Sequence, residues 1–350
     1  MMTHVQVFRP RFGVPLVKTV LAEDVWRARE RAHTERTRRW TVPYQRRRSH
    51  GEKHPVFDFL FQYYAHRPAQ LERWQPGPGV VLAGPDARKF LERPGYQETD
   101  GGVVLSESAF TPKRARMAAA TLTLLRATES RKPRLNCFGL HEWAMVYRQP
   151  SGEVRHAAYP LRLGSAGTDA VVESQEIRCG HYDAFRFFTP AARPRNELQP
   201  TPDARVDLEQ PGCLHTNMDL YRAAGKLDPF VPSELVADCF ELAAAIRELD
   251  MRASPYDLSA LGYHPIPVET AAGRAEYVRA QVEFSRRAAP LRARLIAHCA
   301  KLLIRTRSRG RRPRAGPLVD IRFRRGCGRI GNDRHSSRWG SKPCTNVTFP

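Results

Sequence analysis

Three pairs of imidazole and carboxylate side chains are the residues of this sequence best suited to chemistry. Each pair is a histidine followed within four positions by an acidic residue, among aromatic residues: His141 with Glu142, His181 with Asp183, and His215 with Asp219. Such pairs suit a divalent metal ion such as Fe(II), Mn²⁺ or Zn²⁺, and they equally suit general acid–base catalysis. The spacings leave both chemistries open, because none of them is diagnostic and HExxH is absent.

The spacing within each pair determines which secondary structure would place both of its side chains on the same face. Residues four apart share a helix face, so His215 and Asp219 would point the same way on a helix. Residues two apart share a strand face, so His181 and Asp183 would do so in a strand. A buried carboxylate needs a partner, and Glu142 interrupts an apolar run. We therefore predict that this pair lies at the edge of an apolar helix face and that all three pairs line one central pocket.

Helical periodicity dominates the elements that must position these pairs. The predicted helices share apolar residues at three- and four-residue spacing, often with a capping residue or proline at one end. They cover 21–39, 112–128, a segment capped by Asn136 and ending before Gln149, 213–224, 233 to a stop at Pro255, and 270–304 with an interruption at Pro290. Strand candidates are 80–82, 103–105, Val171, Val172 and Ile177, and residues 44–51 and 190–212 are predicted loops. The predicted fold class is mainly α with a minor β component (α+β).

The chain divides into three parts by composition. An irregular segment (1–20) precedes a single globular domain (21–304), which is followed by a basic disordered tail (305–350). The tail is rich in Arg, Gly and Ser and has no apolar period. This composition is typical of disorder and of a nucleic-acid-binding arm. It also fits out-of-frame translation of a GC-rich gene, which resequencing the locus would test.

The formal net charge of +21 at pH 7 resembles that of a nucleic-acid-binding protein. However, residues 302–350 carry 13 Lys and Arg against 2 Asp and Glu, and residues 1–53 carry 13 against 5. Residues 54–301 therefore carry a net charge of only +2. An argument for DNA binding from charge rests on the two ends of the chain and not on its core.

The sequence favours a cytoplasmic protein. It contains no run of 18 or more apolar residues, and its first residues lack the pattern of a signal peptide. The seven cysteines are odd in number and have no CxxC spacing, which suits reduced thiols better than a disulfide framework. We expect no membrane partner.

Several long segments resemble an actinobacterial family whose members are commonly labelled 3-methyladenine DNA glycosylase. The segments are HPVFDFLFQYYAHRPAQLERWQPGPGVVL, NCFGLHEWAMVYR, LRLGSAGTDAVVES, HYDAFRFFTPAARPRNELQPT, QPGCLHTNMDLYRAAGKL and ELDMRASPYDLSALGY. The resemblance covers most of the chain between residues 21 and 300. It implies release of an alkylated purine from DNA without a cofactor. The resemblance supplies no catalytic residues, so we choose the candidates from the chemistry of the side chains.

Under the glycosylase interpretation, the flipped base needs an aromatic pocket, because ring faces attract a cationic alkylated purine. The candidate substrate-binding residues are Trp143, Tyr147, Tyr182 and Phe185, with Arg186 for the DNA backbone. The candidate catalytic residues are Glu142, Asp183 and Asp219, one of which would orient water, together with His141.

The rival prediction is a metal-dependent enzyme acting on a small molecule, with His181 and His215 among the ligands of a divalent ion. A third alternative is a non-catalytic binding module. Base release should survive a chelator, metal-dependent activity should not, and a binding module should show no turnover.

Overall fold

Four long helices build the frame of the fold. α9 (Leu214–Lys226) packs on α10 (Ser233–Arg252), and α11 (Ala271–Arg307) packs on both and on α4 (Pro112–Glu129). All four were predicted from the sequence, although α11 was expected to be interrupted at Pro290. α4 begins as expected, because the Thr111 hydroxyl accepts a hydrogen bond from the backbone N–H of Arg114, the third residue of the helix.

The computed structural model describes residues 19–64, 66–150, 154, 156 and 158–307. These residues form one mainly helical body with a small sheet, which confirms the predicted fold class. None of their helices is long and apolar enough to cross a membrane. The predictions for the first 18 residues and for the tail beyond residue 307 lie outside the described residues.

One further long helix, α1, and six shorter helices complete the α-helices of the described residues. They are α1 (Glu23–Ser49), α2 (Asp58–Tyr63), α3 (Pro68–Glu72), α5 (Leu140–Ala144), α6 (Gly164–Ser174), α7 (Tyr182–Phe185) and α8 (Arg205–Leu208). Because α5, α7 and α8 have five residues or fewer, neighbouring elements must hold them in place.

The prediction of a basic loop at residues 44–51 is wrong, because α1 continues through most of it. Tyr44 is buried and stacks on Phe61, with ring centroids 4.5 Å apart. Arg47 pairs with the buried carboxylate of Asp58 at 2.5 Å. These tertiary contacts stabilise helical turns that look like a solvated basic loop in the sequence.

A four-stranded sheet lies at one side of the helices. Its order is β1 (Thr19–Leu21), β2 (Val80–Leu82), β4 (Gly102–Leu105) and β3 (Tyr96–Thr99). β1 pairs with β2 in parallel, and the other two pairings are antiparallel. The predicted strands at 80–82 and 103–105 are confirmed, whereas the two edge strands escaped prediction.

The strand prediction at Val171 and Val172 is also wrong. Both residues lie on the buried face of α6, and Ile177 forms only an isolated bridge with Asn196. Two adjacent valines fit either a buried strand or a buried helix face, so the apolar run alone could not decide between them.

The helix that carries His141 is much shorter than predicted, because backbone groups from Ala144 onward bond to residues outside the helix. The carbonyl of Ala144 accepts from the N–H of Thr189, and the N–H of Arg148 donates to Asp169 instead. The predicted cap, Asn136, is exposed and lies outside the helix.

The interruption predicted at Pro290 is absent, because α11 continues through it. A proline inside a helix removes one backbone hydrogen bond and leaves an earlier carbonyl without its donor. Pro290 lies on the exposed face of α11, where solvent can reach that carbonyl.

Candidate functional site

The three predicted histidines meet in the interior. The rings of His141 and His215 lie edge to face with centroids 4.5 Å apart, and those of His215 and His181 stack at 5.3 Å. All three side chains are buried. They come from α5, from the residue before α7 and from α9, so three separate parts of the sequence converge here. We call these histidines and the acidic and basic side chains in contact with them the histidine centre.

A tight turn sets the direction of His141. Phe138 and Gly139 both have positive φ, at 49° and 73°, and the N–H of Leu140 closes the turn on the carbonyl of Cys137. A Cβ at position 139 would also lie 3.3 Å from the ring of Tyr277. Glycine is therefore favoured there twice over, while Phe138 accepts a conformation that L-residues seldom adopt. Such strain is often found at functional sites.

His141 is held from behind by Asp250 of α10. The Nε2 atom of His141 lies 2.8 Å from the Asp250 carboxylate. Burial alone would lower the pKa of His141, but the Asp250 carboxylate outweighs it and raises that pKa well above its usual value. Its other nitrogen, Nδ1, faces the thiol of Cys137 at 3.6 Å.

His215 differs from His141 although their rings touch. Burial, reinforced by the charge of His141, lowers the pKa of His215 well below its usual value. Its ring therefore stays neutral at physiological pH, and a neutral imidazole has a lone pair free to bind a metal ion.

His181 faces two carboxylates. Its Nε2 atom lies 3.4 Å from Asp219 and 3.8 Å from Glu209. Arg205 bridges the same two acids, at 2.6 Å from Glu209 and 2.8 Å from Asp219. Burial would raise the pKa of Asp219, but contacts with His181, Arg222 and Arg205 hold it well below its usual range.

Two of the predicted carboxylates are committed to arginines. Glu142 binds Arg247 at 2.6 Å, and despite burial this partner lowers the pKa of Glu142 to about 2. Asp183 pairs with Arg222 of α9 and, at 3.4 Å, with Arg186. Both carboxylates are therefore halves of ion pairs.

A cavity of about 30 Å³ opens beside the histidines. His141 and His215 line it, with Glu209 and three cysteines. A cavity needs about 10–15 Å³ to hold one water molecule. This one has room for an ion and a water molecule, but it is far too small for a nucleobase.

The predicted substrate-binding residues lie apart from this cavity, and none belongs to its lining. Trp143 is fully buried, and its indole N–H donates to the carbonyl of Ala253 at 2.9 Å. Tyr147 donates to Glu173 at 2.8 Å. Tyr182 is partly exposed, Phe185 packs in the core, and Arg186 is exposed. The structure therefore brings together His141, His181, His215 and Asp219, and does not gather these aromatic residues into a pocket.

Sequence reasoning missed Asp250, Glu209 and the three arginines that pair with the acids of the centre. One signal was available: Arg247 and Asp250 stand three apart inside an apolar helix, IRELDM. Buried charges three apart on a helix indicate an ion pair. Their partners Glu142 and His141 lie more than 100 positions away, so spacing alone could not connect them.

A scan against protein-family models, a search of curated proteins and a search of solved structures each returned no match. The function therefore has to be argued from the geometry of the centre itself.

Proposed function

We propose that this chain is a metal-dependent enzyme acting on a small molecule, with a divalent cation at the histidine centre. One observation carries the proposal: two neighbouring groups of buried side chains each place three possible ligand atoms within 4.8 Å of one another. The groups are His141, His215 and Asp250, and His181, Glu209 and Asp219. The contacts of His215 with His141 and His181 join the two groups.

The charge of the histidine centre supports a cation. Four carboxylates are buried in it: Glu142, Glu209, Asp219 and Asp250. Among the described residues, Arg205 and Arg247 pair only with these acids, whereas Arg222 is shared with Asp183. Between one and two negative charges are left before the imidazoles are counted. A divalent cation balances this excess, and so do imidazolium ions, so metal content separates the two explanations.

We place the proposed cation in the cavity, because His141 and His215 of the first group both line it. Asp250 is not part of the lining and contacts Nε2 of His141 at 2.8 Å, so it would orient that ring instead of acting as a third ligand. Histidines that bind metals usually have such a carboxylate. A cation there would supply Lewis acidity and lower the pKa of a bound water molecule.

The remaining residues of the centre have supporting roles in this proposal. Asp219 and Glu209 hold His181 against His215, and Arg205 keeps the two acids at the right separation. Arg247 joins Glu142 to Asp250 and so connects α5 with α10.

The second candidate function is release of an alkylated purine from DNA, and one surface feature favours it. Phe59 and Tyr63 stack at 4.7 Å with an interplanar angle of 13°, and both rings are partly exposed. Arg222, which pairs with Asp183, lies 4.9 Å from the centroid of the Tyr63 ring. A partly exposed pair of stacked rings offers a surface on which a nucleobase can stack.

Metal content of the full chain tests the first proposal. We expect about one divalent cation per chain, lost in His215→Asn and kept in His33→Asn. His33 is a matched control, because it is a buried histidine of α1 that contacts the carbonyl of Leu71 outside the centre. A wild-type chain that neither contains nor takes up a divalent cation would contradict the proposal.

Free-base release from alkylated duplex DNA, with and without a chelator, tests the second candidate. Release that persists in chelator and falls in Tyr63→Ala supports the glycosylase. Absence of release under both conditions removes it and leaves the small-molecule enzyme.

A further inference from the structure

Two residues of α11 that line the cavity each have a polar atom without a partner. Tyr277 and Gln281 are both fully buried. The hydroxyl of Tyr277 and Oε1 of Gln281 have no hydrogen-bond partner among the described residues. Because the two residues stand four apart, they lie on the same face of the helix. A buried polar atom without a partner is unfavourable, so this face of α11 favours a polar occupant of the cavity.

Tyr277 lies beside the segment that carries His141. A Cβ at Gly139 would lie 3.5 Å from Cζ of Tyr277, the ring carbon that bears the hydroxyl. Gly139 stands immediately before α5 and two residues before His141. Burial raises the pKa of Tyr277 well above its usual value, so its hydroxyl stays protonated and can donate a hydrogen bond at neutral pH.

Gln281 is attached to the segment that carries His215. Its Nε2 atom donates to the carbonyl of Gly212, three residues before His215, at 2.6 Å. This bond fixes the orientation of the amide, because a flipped amide would place its oxygen against the carbonyl oxygen. Oε1 can act only as an acceptor, so an occupant that satisfies it has to offer an N–H or O–H group.

The size of the cavity restricts such an occupant to a molecule of about the size of water. The volume is about 30 Å³, and one water molecule needs about 10–15 Å³, so the proposed cation leaves room for little else. Water both donates and accepts hydrogen bonds, so it can satisfy the Tyr277 hydroxyl and Oε1 of Gln281 together. A buried water molecule has about two to four polar partners, and the cation, Tyr277 and Gln281 would supply three.

We propose that Tyr277 and Gln281 position the water molecule that the cation of the histidine centre would activate. The Tyr277 hydroxyl donates to the oxygen of this water, and Oε1 of Gln281 accepts a hydrogen bond from one of its two O–H groups. The other O–H group stays free to lose its proton when the cation lowers the pKa of the water. The inference rests on the proposed function and deepens it, because it assigns the enzyme to reactions in which water is the nucleophile.

Thermal unfolding of the chelator-treated full chain tests whether the cavity holds water. Tyr277→Phe removes only the hydroxyl, and because that group would lose its bond to water, the unfolding midpoint should fall by about 2 °C. Tyr221→Phe is the matched control. Tyr221 is a buried residue of α9 whose hydroxyl also lacks a partner among the described residues, but it is not part of the cavity lining. The control should leave the midpoint unchanged or raise it, and a fall in Tyr277→Phe no larger than in the control would overturn the water site.

The pH dependence of the cobalt(II)-loaded full chain tests whether this water belongs to the cation. The visible absorption of bound cobalt changes when its water ionises, and the pH midpoint of the change reports the pKa of that water. Tyr277→Phe should raise the midpoint by about one pH unit, because the hydroxide loses a stronger hydrogen bond than neutral water does. Gln281→Leu should lower it, because the water is a better donor to Oε1 than the hydroxide is. A common loss of structure would not shift the midpoint in opposite directions, and Tyr221→Phe should leave it unchanged.

Two failures can be told apart. A wild-type chain that binds no cobalt overturns the proposed metal site together with this inference. Cobalt that binds with the same pH midpoint in the wild type and in Tyr277→Phe overturns only the positioned water and leaves the metal site standing. If Gln281→Leu fails to fold because it also loses the bond to Gly212, the titration of Tyr277→Phe decides alone.

Discussion

The histidine centre and the tryptophan cluster beside the sheet are both buried, but they differ in how their polar atoms are used. In the cluster, Trp26, Trp74 and Phe90 stack and meet edge to face within 6.4 Å. Both indole N–H groups have partners, the carbonyl of Ala83 for Trp26 and Glu234 for Trp74. In the centre, by contrast, the hydroxyl of Tyr277 and Oε1 of Gln281 have no hydrogen-bond partner among the described residues, and both residues line the cavity.

The tryptophan cluster therefore contributes mainly to the stability of the fold, whereas the centre keeps polar atoms that could still bind a ligand. The cluster gains from apolar burial and from cations over its rings, such as Lys89 at 4.9 Å from the Trp26 centroid. The centre holds buried charges, which are a weak source of stability even when paired. We therefore expect changes in the cluster to affect folding alone, and changes in the centre to affect metal binding as well.

The largest effect on stability should come from Arg247→Met. This change leaves Glu142 and Asp250 buried without their guanidinium partner, which costs about 3–5 kcal/mol for a broken buried pair. Urea unfolding of the full chain measures it. A loss smaller than 1 kcal/mol would mean that the pair is not buried as described.

Phe90→Leu should lower the free energy of unfolding by about 1–2 kcal/mol, because it removes buried ring atoms from the cluster. Metal content should remain that of the wild type. Loss of metal in this variant would break the proposed separation between the two regions.

Asp228 gives a smaller effect that depends on pH. Burial raises its pKa from 3.8 to about 6, although Arg73, Arg114 and Arg93 act in the opposite direction. The folded state therefore binds the proton more tightly than the unfolded state, and this carboxylate destabilises the fold as pH rises from about 4 to 6. Asp228→Asn should stabilise the protein by about 1 kcal/mol at pH 7, allowing for partial exposure, and by nothing below pH 4.

Unfolding of the wild type and Asp228→Asn at pH 3.5, 5 and 7 measures this difference. A stability difference between the wild type and Asp228→Asn that does not change with pH would contradict the assignment to Asp228.

Glu142 should act in the opposite sense to Asp228. Its pKa is lowered to about 2, so its contribution to the stability of the fold is lost only as pH falls below 4.5.

The smallest effect is expected at Arg286, which lies outside both regions. It forms an exposed pair with Glu283, three residues earlier in α11, at 2.7 Å. Exposed pairs contribute little, so Arg286→Ala should leave both thermal unfolding and metal content unchanged. A clear shift would show that the surface charges of α11 matter to the fold.

Sequence patterns predicted the long helices because the helical spacing of apolar residues is visible in the sequence without any knowledge of tertiary contacts. They failed where tertiary contacts decide: at residues 44–49 of α1, which Tyr44 and Arg47 anchor, and at Val171 and Val172 in α6. The edge strands β1 and β3 also escaped, because neither buries adjacent apolar residues as β2 and β4 do.

The candidate centre was predicted in part, for a similar reason. The convergence of His141, His181 and His215 was expected from their similar aromatic surroundings, and the structure brings them together. Asp250 was not foreseen, because its partner is 109 positions away. The cysteines were passed over because they lack a CxxC spacing, although each stands close to one of the histidines.

Zinc titration calorimetry on the chelator-treated full chain tests the central claim most directly. We predict one zinc ion per chain, with affinity reduced about 10–100-fold in Asp250→Asn, which removes the carboxylate behind His141, and unchanged in His33→Asn. A wild-type chain that binds no zinc, or an Asp250→Asn variant that binds it as tightly as the wild type, would contradict the proposal that the histidine centre is a metal site.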